Sequence, residues 1–382
     1  MKGIYWRPKH VSRNVLLLVA LLSIGGIVLV ELLQTQVKQP NFSEKLKAAK
    51  HMAASLEELK RMREKLRIPI DPESDPSQSG VVGWPLSSIT SNSGDLGAKQ
   101  TTINPNFAAV VAHLLKKAGV EKGDVVAVGL TGSFPCLNLA VLSACQALEV
   151  TPISITSAAA SEYGANIPGF SWLEMEKHLV ERDLIPKEYL TVAASLGGTE
   201  DKGRGMNPEG RRFLRGLIER LGIPLLWPKT PDEGIEERMA TYVEKAQERP
   251  IKAYVNVGGG TLSVGTAVGK KMFKPGLNLT VPSGAMDFPS VMLAFAQQGV
   301  PVIHLTKVKD LAARYDLPAE PRELPRVGYG NIFYKVEYNL WLVGGVLFVI
   351  IAALWLLVRM NLAQTFVSKR AGKGDGMPEP MV

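Results

Sequence analysis

Two long apolar runs, one near each end of the chain, dominate its pattern of hydrophobic and polar positions. Residues 15–33 read VLLLVALLSIGGIVLVELL, with Glu31 as the single charge, and residues 340–358 read LWLVGGVLFVIIAALWLLV, with no charge. Each run is close to the roughly 20 apolar residues that a helix needs to cross a bilayer. The pattern therefore predicts a transmembrane helix at 15–33 and another at 340–358.

The basic residues that flank these runs predict the topology. Four cations precede the first run and four follow the second: Lys2, Arg7, Lys9 and Arg13, then Arg359, Lys369, Arg370 and Lys373. Because Lys and Arg are enriched on the cytoplasmic side of transmembrane helices, both tails, 1–14 and 359–382, are expected in the cytoplasm. The segment between the two helices is then extracytoplasmic, and the protein is expected in the cell membrane.

Each run also has an alternative interpretation. The first run is similar to the apolar part of a signal peptide, but the following ELLQTQVKQ offers no small-x-small cleavage site, which favours an uncleaved anchor. The second run would also suit a buried core helix. It is apolar around its whole circumference, however, and it carries Trp341 and Trp355 toward its ends, as in the aromatic belts of membrane proteins.

Between the two runs the spacing of the apolar positions changes. Residues 41–67 place Leu and Ala three and four residues apart, which predicts a charged juxtamembrane helix lying on the main domain. Residues 68–100 are rich in turn-forming residues and are predicted to be an irregular linker. From 101 to 335 short apolar segments alternate with amphipathic ones, which predicts an extracytoplasmic α/β domain.

The segments of this domain predict its fold class. Strands are predicted at 125–130, 152–156, 189–196, 224–227, 253–257 and 300–305, and helices at 104–117, 135–148, 172–181, 208–221, 233–248 and 288–298. Short apolar strands separated by helices are typical of parallel sheets covered on both faces. The predicted fold is α/β, with a doubly wound, mostly parallel, Rossmann-like sheet between two terminal transmembrane helices.

Charge and cysteine content exclude several function classes. The formal net charge is +8, but the N-terminal tail holds +4 and the C-terminal tail +2, so that the segment between the two runs carries +3. Most of the basicity therefore serves topology and contact with the lipid bilayer, and no nucleic-acid partner is expected. Cys136 and Cys145 lie nine positions apart on a predicted helix, about 13 Å of rise, too far for a disulfide. No Cys/His cluster of the metal-binding kind occurs, so neither a metal nor another cofactor is expected.

Candidate chemistry lies in the loops that follow four predicted strands, because ligands bind beyond the carboxyl ends of strands in open α/β sheets. The residues singled out as ligand-binding are Thr131 and Gly132 in the first loop, Ser157, Tyr163 and Asn166 in the second, Gly197, Gly198, Glu200, Asp201 and Arg204 in the third, and Asn256, Gly258, Gly259, Gly260 and Thr261 in the fourth. Glycines permit close backbone approach, and the polar groups suit a polar or carboxylated ligand. The alternative interpretation is a set of helix caps and solvated surface loops.

Three residues are candidates for catalysis: Ser133 as a nucleophile, with Glu162 or His304 as its base. The Gly-x-Ser-x-Gly elbow is not matched at Ser133. Nucleotide binding at the triple glycine is disfavoured, because the preceding strand lacks an acidic residue and no Gly-x-x-x-x-Gly-Lys-[Ser/Thr] motif occurs.

Four stretches carry a resemblance to a known family: VAVGLTGSFPCLNLAVLSACQAL, ITSAAASEYGANIPGFSWLEME, ASLGGTEDKGRGMNPEGRRFL and IKAYVNVGGGTLSVG. They resemble the poly-γ-glutamate system proteins, and the likeness covers nearly the whole chain, including both terminal runs. The resemblance implies an association with the membrane machinery that makes and exports poly-γ-glutamate, which includes an ATP-dependent amide ligase and a small multi-spanning partner. It implies no assigned reaction, so no catalytic residue is carried over.

Two functions follow as hypotheses, and the sequence leaves open whether the chain is an enzyme. In the first, the chain is a membrane-anchored accessory component of poly-γ-glutamate (capsule or surface polymer) biosynthesis or export, whose outer domain binds the anionic polymer or the synthase membrane subunits. Local basic clusters such as 202–212 and 270–274 would then contact the polymer. In the alternative, the domain is an extracytoplasmic amide-bond hydrolase or transferase acting on that polymer. A third arrangement, with inverted topology and a nucleotide bound inside the cell, is distinguished by labelling an engineered cysteine on intact cells.

Overall fold

A six-stranded, mostly parallel sheet forms the centre of the α/β domain. The computed structural model describes the backbone of residues 13–371, and the side chains of residues 17–357 and of Arg359. The predicted cytoplasmic residues 1–12 and 372–382, with Lys2, Arg7, Lys9 and Lys373, lie outside the described residues. The chain divides into two compact units, Lys38–Phe333 and the pair of terminal segments that flank it.

The strands, in chain order, are β1 (Thr35–Lys38), β2 (Thr90–Asn92), β3 (Val125–Thr131), β4 (Thr151–Ser157), β5 (Ala160–Ser161), β6 (Asn166–Ile167), β7 (Phe170–Ser171), β8 (Ala193–Ser195), β9 (Ile251–Val257), β10 (Gly276–Asn278), β11 (Val302–Leu305) and β12 (Tyr334–Glu337). The helices are α1 (Arg13–Leu32), α2 (Phe42–Lys65), α3 (Leu96–Thr102), α4 (Phe107–Lys117), α5 (Pro135–Leu148), α6 (Trp172–Glu181), α7 (Pro208–Arg220), α8 (Pro231–Ala246), α9 (Thr261–Val264), α10 (Gly269–Met272), α11 (Val291–Gln297), α12 (Val308–Arg314) and α13 (Leu340–Ala371).

The central sheet has the order β10-β11-β9-β3-β4-β8, in which all strands are parallel except β10, which is antiparallel to β11. Among the parallel strands, β3 lies in the middle, with β4 and β8 following on one side and β9 and β11 on the other. The order therefore reverses between β3 and β9. In open α/β sheets a crevice opens at such a reversal, beyond the carboxyl ends of the strands.

Helices cover both faces of this sheet. On one face, α2, α4 and α5 pack on one another, and α5 contacts β3 and β4. On the other, alternate side chains of β3 and β4 form an apolar core with Tyr242 and Ala246 of α8 and with Phe295 of α11. The predicted α/β class with a mostly parallel sheet is thus confirmed.

Two predicted strands are shorter than expected, for identifiable reasons. Residues 189–196 reduce to β8, because Thr191 donates its backbone N–H to the Glu176 carboxylate (3.1 Å) instead of to the neighbouring strand. Residues 224–227 form a single bridge, between Ala194 and Leu225. Pro224 and Pro228, which lack an N–H donor, bracket this segment and end the ladder.

The segment predicted to be irregular, 68–100, contains β2 and the first part of α3, and it is fastened to the domain by buried polar contacts. Arg63 of α2 is 1% exposed and donates to the carbonyl oxygens of Gly80 (3.0 Å), Val82 (2.6 Å) and Pro69 (2.7 Å). Since a guanidinium offers five donors in a fixed fork, one side chain holds three points of the segment.

The terminal segments form the other compact unit, in which β1 pairs with β12 and α1 packs against α13. Gly26 lies against Val346, where an added Cβ would clash with that side chain. Among the described residues, Leu340–Leu357 is one stretch long and apolar enough to cross a membrane, with mean hydropathy 2.7 and none of the stretch buried. Leu17–Leu32 is a shorter apolar helix.

Candidate functional site

A polar cavity of about 320 Å³ opens at the carboxyl ends of β3, β4, β8 and β9, where the strand order reverses. Its lining combines hydroxyls, glycine backbone and a few charges: Ser91, Asn92, Ser93, Gly94, Asp95, Lys99, Thr131, Ser133, Phe134, Ser157, Ala159, Ser161, Gly198, Thr199, Asp201, Gly259, Gly260, Thr261 and Lys270. The volume lies at the lower end of the range of small-molecule sites.

The turn after β3 forms one wall of the cavity. Asn138 of α5 donates to the Thr131 carbonyl (2.8 Å), and the Thr131 hydroxyl accepts the N–H of Ser133 (3.2 Å). Gly132 passes so close to the loop after β4 that an added Cβ would lie 2.7 Å from the Ala158 carbonyl oxygen. A residue without a side chain is therefore required there.

The loop after β4 contributes Ser157 and Ser161. The N–H of Ser161 donates to the Ser133 hydroxyl oxygen (2.9 Å), which joins this loop to the turn after β3. Ser161 belongs to β5, which pairs with β2 of the segment 68–100. The hydroxyl of Ser161 is thus held by backbone pairing rather than carried on a free loop.

Lys99 is one of the residues of this site that the sequence did not reveal. It lies on α3, whose N-cap is Asp95, and is only 4% exposed. Its Nζ donates to the Ser133 carbonyl oxygen, lies 2.9 Å from the Ser161 hydroxyl oxygen, and sits 3.6 Å from the centre of the Phe134 ring. Burial lowers the pKa of Lys99 to about 7, because the charged form loses its hydration.

The loop after β8 is anchored by a buried ion pair. Asp201 accepts hydrogen bonds from Nε (3.1 Å) and Nη2 of Arg238 on α8, and Nη2 also donates to the Ser195 hydroxyl (3.1 Å). Burial disfavours the charged guanidinium, but the Asp201 carboxylate overrides this effect and raises the pKa of Arg238. The other Asp201 oxygen lies 3.5 Å from the Ser157 hydroxyl, so this pair supports the cavity wall.

The glycine loop after β9 closes the cavity together with Lys270 of α10. An added Cβ at Gly259 would lie 2.8 Å from Lys270 Nζ. Burial lowers the pKa of Lys270. In the part of the chain that the structure describes, neither Lys270 nor Lys99 forms an ion pair with a carboxylate, since the salt bridges of the region join Asp95 to Lys309 and Asp201 to Arg238.

The structure brings together only part of the predicted site. The predicted residues on the cavity wall are Thr131, Ser133, Ser157, Gly198, Asp201, Gly259, Gly260 and Thr261. The remaining predicted residues are not among those that line it: Gly132, Glu162, Tyr163, Asn166, Gly197, Glu200, Arg204, Asn256, Gly258 and His304.

Several of these remaining residues have structural contacts. Glu162 accepts the N–H of Gly94 (3.0 Å), and buried Asn166 bonds both backbone groups of Trp84 (2.8 and 2.7 Å). Arg204 pairs with Glu200 (3.0 Å) near the surface.

The two predicted bases do not contact Ser133. Glu162 is held by Gly94, as described, and His304 is fully buried, with its Nδ1 3.0 Å from the Asn256 amide nitrogen. Burial lowers the pKa of His304 to about 3, so the imidazole is neutral at physiological pH. The sequence-predicted combination of Ser133 with Glu162 or His304 therefore has no hydrogen bond that would support it.

A second concavity, of about 700 Å³, continues from the cavity and shares Asp95, Phe134 and Lys270 with it. We call it the lysine groove. Its wall carries further exposed cations, and the lysines that line it are Lys270, Lys271, Lys274, Lys307 and Lys309. Lys309 is paired with Glu320 (2.6 Å), and Asp95 and Asp310 are the acidic residues of the lining.

Metal and thiol chemistry have no visible basis in the described residues. There, no group of three or more His, Cys, Asp or Glu side chains is placed to hold a metal ion. Cys136 and Cys145 are buried free cysteines, and burial raises the pKa of each thiol to about 12.

The site thus belongs to an α/β domain with a cationic, hydroxyl-lined cavity at the reversal of its strand order. No family model, no curated protein and no solved structure matches this chain.

Proposed function

We propose that this protein is a membrane-anchored accessory component of poly-γ-glutamate biosynthesis or export, and that its outer α/β domain binds the anionic polymer. The observation that carries the proposal is the lysine groove, which continues through the shared Lys270 into a cavity holding one further lysine, Lys99; neither of these two has a carboxylate partner among the described residues. Unpaired cations in a partly desolvated wall favour an anionic ligand, because each is stabilised by an opposite charge.

A carboxylated amide polymer fits this arrangement better than a compact anion. Lys271, Lys274 and Lys307 are exposed along the groove, whereas Lys99 is buried at the cavity. A chain with repeated carboxylates would contact the exposed lysines in succession, and its amide groups would meet the hydroxyls of Ser157 and Ser161. The resemblance of the loop sequences to the poly-γ-glutamate system proteins supports the same ligand.

In this proposal both terminal helices, α1 and α13, cross the bilayer, and both termini lie in the cytoplasm. The apolar and unburied stretch Leu340–Leu357 supports the second crossing. The shorter apolar stretch Leu17–Leu32, with the four cations that precede it in the sequence, supports the first. The doubly wound domain would then meet the polymer where it emerges, beside the synthase membrane subunits.

Binding by the full-length chain in detergent tests the proposal. Isothermal titration with γ-linked glutamate oligomers should show binding that weakens as salt rises, because exposed charges are screened. The double variant K271E/K274E should bind at least tenfold more weakly. The control K252E changes an exposed lysine at the amino end of β9, whereas the cavity lies at the carboxyl end of that strand, and should bind like wild type.

Two results would overturn binding of the polymer in the lysine groove. One is the absence of binding to γ-linked oligomers by folded wild-type chain. The other is a weakening by K252E that is as large, per unit of charge changed, as that by K271E/K274E, which would mean that net charge rather than the lysine groove determines binding. Polyphosphate and α-linked polyglutamate serve as competitors, and equal affinity for all three polymers would contradict a specific γ-glutamyl site.

A further inference from the structure

Ser161 and Lys99 form a close pair of a hydroxyl and a buried amine on the wall of the cavity, with Lys99 Nζ 2.9 Å from Ser161 Oγ. We propose that Ser161 is the nucleophile, and Lys99 its general base, of an acyl-transfer reaction in this cavity. Serine–lysine pairs are an established alternative to the serine–histidine arrangement, and hydrogen-bond reach between nucleophile and base is their first requirement.

The surroundings of Lys99 suit the role of a base. A neutral amine has two N–H groups and one lone pair. In the structure Nζ donates both to the Ser133 carbonyl oxygen and to Ser161 Oγ. Once Nζ has lost a proton, it keeps the hydrogen bond to the Ser133 carbonyl, and its lone pair replaces the N–H that faces Ser161 and accepts the hydroxyl proton. The pKa of Lys99, lowered by burial to about 7, leaves a large neutral fraction at physiological pH.

Ser161 is better placed than Ser133 for attack. Lys99 contacts Ser133 through the backbone carbonyl, not through the hydroxyl, and the Ser133 hydroxyl oxygen accepts the N–H of Ser161. Ser161 is fixed by the β2–β5 pairing and has its hydroxyl beside the amine. Because backbone pairing already holds Ser161 in place, less conformational freedom is lost when its hydroxyl reacts.

The reaction balances with an amide substrate and water. Ser161 Oγ attacks the amide carbonyl carbon while its proton passes to Lys99 Nζ; the C–N bond then breaks, and the leaving amine takes that proton. The acyl group remains as an ester on Ser161. Water then attacks the ester carbonyl, gives a proton to Lys99, and Ser161 recovers its proton as the carboxylic acid leaves.

An amine in place of water would complete a transfer instead of a hydrolysis. Lys270, the other lysine of the cavity, supplies positive charge for a substrate carboxylate or for the developing oxyanion. The assignment of γ-glutamyl amides as substrate rests on the proposed function, whereas the serine–lysine chemistry does not.

A fluorophosphonate reagent, which phosphonylates activated serines with loss of fluoride, tests the pair on the full-length chain in detergent. Intact mass and peptide mapping should place one adduct on Ser161, formed at a rate that rises with pH with a midpoint near 7. The S161A variant should form no adduct. The K99R variant, which keeps a charged donor but has no accessible base, should react at least a hundredfold more slowly and lose the pH midpoint.

The matched control is S143A, which removes a buried serine of α5 outside the cavity and should react like wild type. An adduct on another serine, an unchanged rate in K99R, or no adduct on chain that still binds γ-linked oligomers would overturn the inference. The last result would leave the proposed binding function intact. Conversely, an adduct on Ser161 in chain that binds no oligomer would support the pair and overturn the assigned substrate class.

Discussion

At the scale of single residues, the most informative groups are buried side chains whose pKa is displaced. Glu176 of α6 is 1% exposed, and its carboxylate accepts both the N–H and the hydroxyl of Thr191, each at 3.1 Å. Burial nevertheless raises the pKa of Glu176 to about 7, above the usual 4.5 of a free carboxyl group. The folded protein therefore favours the protonated form, and such groups couple folding to pH.

The first prediction concerns the variant E176Q. A raised pKa contributes stability that is complete below pH 4.5 and is lost as the pH rises through about 7. Glutamine imitates the protonated acid at every pH, so E176Q should change little at pH 5 and stabilise the protein at pH 8, by up to about 3 kcal/mol. Thermal unfolding of the full-length chain in detergent at both pH values measures the effect. A destabilisation at pH 8 would show that the contacts with Thr191 stabilise the charged carboxylate and that the pKa of Glu176 is not raised.

The second prediction concerns Lys99, whose pKa is lowered, and the sign is opposite. An amine whose folded pKa lies near 7 and whose ordinary pKa is 10.5 makes the fold less stable as the pH falls between these values. The K99M variant has no such titration. Wild type should therefore gain stability relative to K99M between pH 7 and pH 10, seen as a change in the difference of their unfolding temperatures. A difference that is constant over this range would contradict a lowered pKa.

At the scale of elements, a buried ion pair holds the glycine-rich loop after β8 in one conformation at the wall of the cavity. Its sequence, GGTEDKGRG, has four glycines at positive φ, and Gly205 lies against the Ser91 carbonyl where any side chain would clash. Asp201 itself has φ +58°, and both it and Arg238 are at most 2% exposed. The buried ion pair therefore joins α8 to a loop with little regular structure of its own.

The third prediction tests this anchor by double-mutant comparison. R238M leaves the Asp201 carboxylate buried without its partner, which should cost about 3–5 kcal/mol of folding free energy. The double variant D201N/R238M removes both charges and should recover a large part of that loss, because no uncompensated charge remains. Thermal unfolding of the two variants makes the comparison. Equal losses in both would mean that packing, rather than the charge pair, holds the loop.

The elements also show what the sequence could and could not predict. The strands β3, β4 and β9 are apolar runs bounded by turn residues, so the loops that follow them were predictable. All three of these loops line the cavity. The helix α3 was missed because its seven residues follow the turn-rich SNSGD. Asp95, which caps it by accepting the Ala98 N–H (3.1 Å), is the local signal that marks its start.

Charged residues were the least predictable part of the site. Arg238 lies in GIEERMATYVEK, a run of charges that has the composition of a solvated helix face, yet it is almost completely buried. Its partner Asp201 is 37 positions away in the chain, and no local spacing relates the two. His304 presents the reverse case, since a histidine at a strand end suggests chemistry but here packs as a neutral buried group.

At the scale of the whole molecule, the compartment of the α/β domain decides which ligands it meets, and the two native cysteines make that compartment measurable. Cys136 and Cys145 are at most 3% exposed, and burial raises each thiol pKa to about 12, so neither should react with a polar maleimide in folded protein. The fourth prediction is that E73C, at an exposed position, is labelled by a membrane-impermeant maleimide on intact cells. Wild type is the control and should stay unlabelled until it is denatured. Labelling of E73C only after the cells are lysed would place the domain inside the cell and would contradict the extracytoplasmic role proposed for the lysine groove.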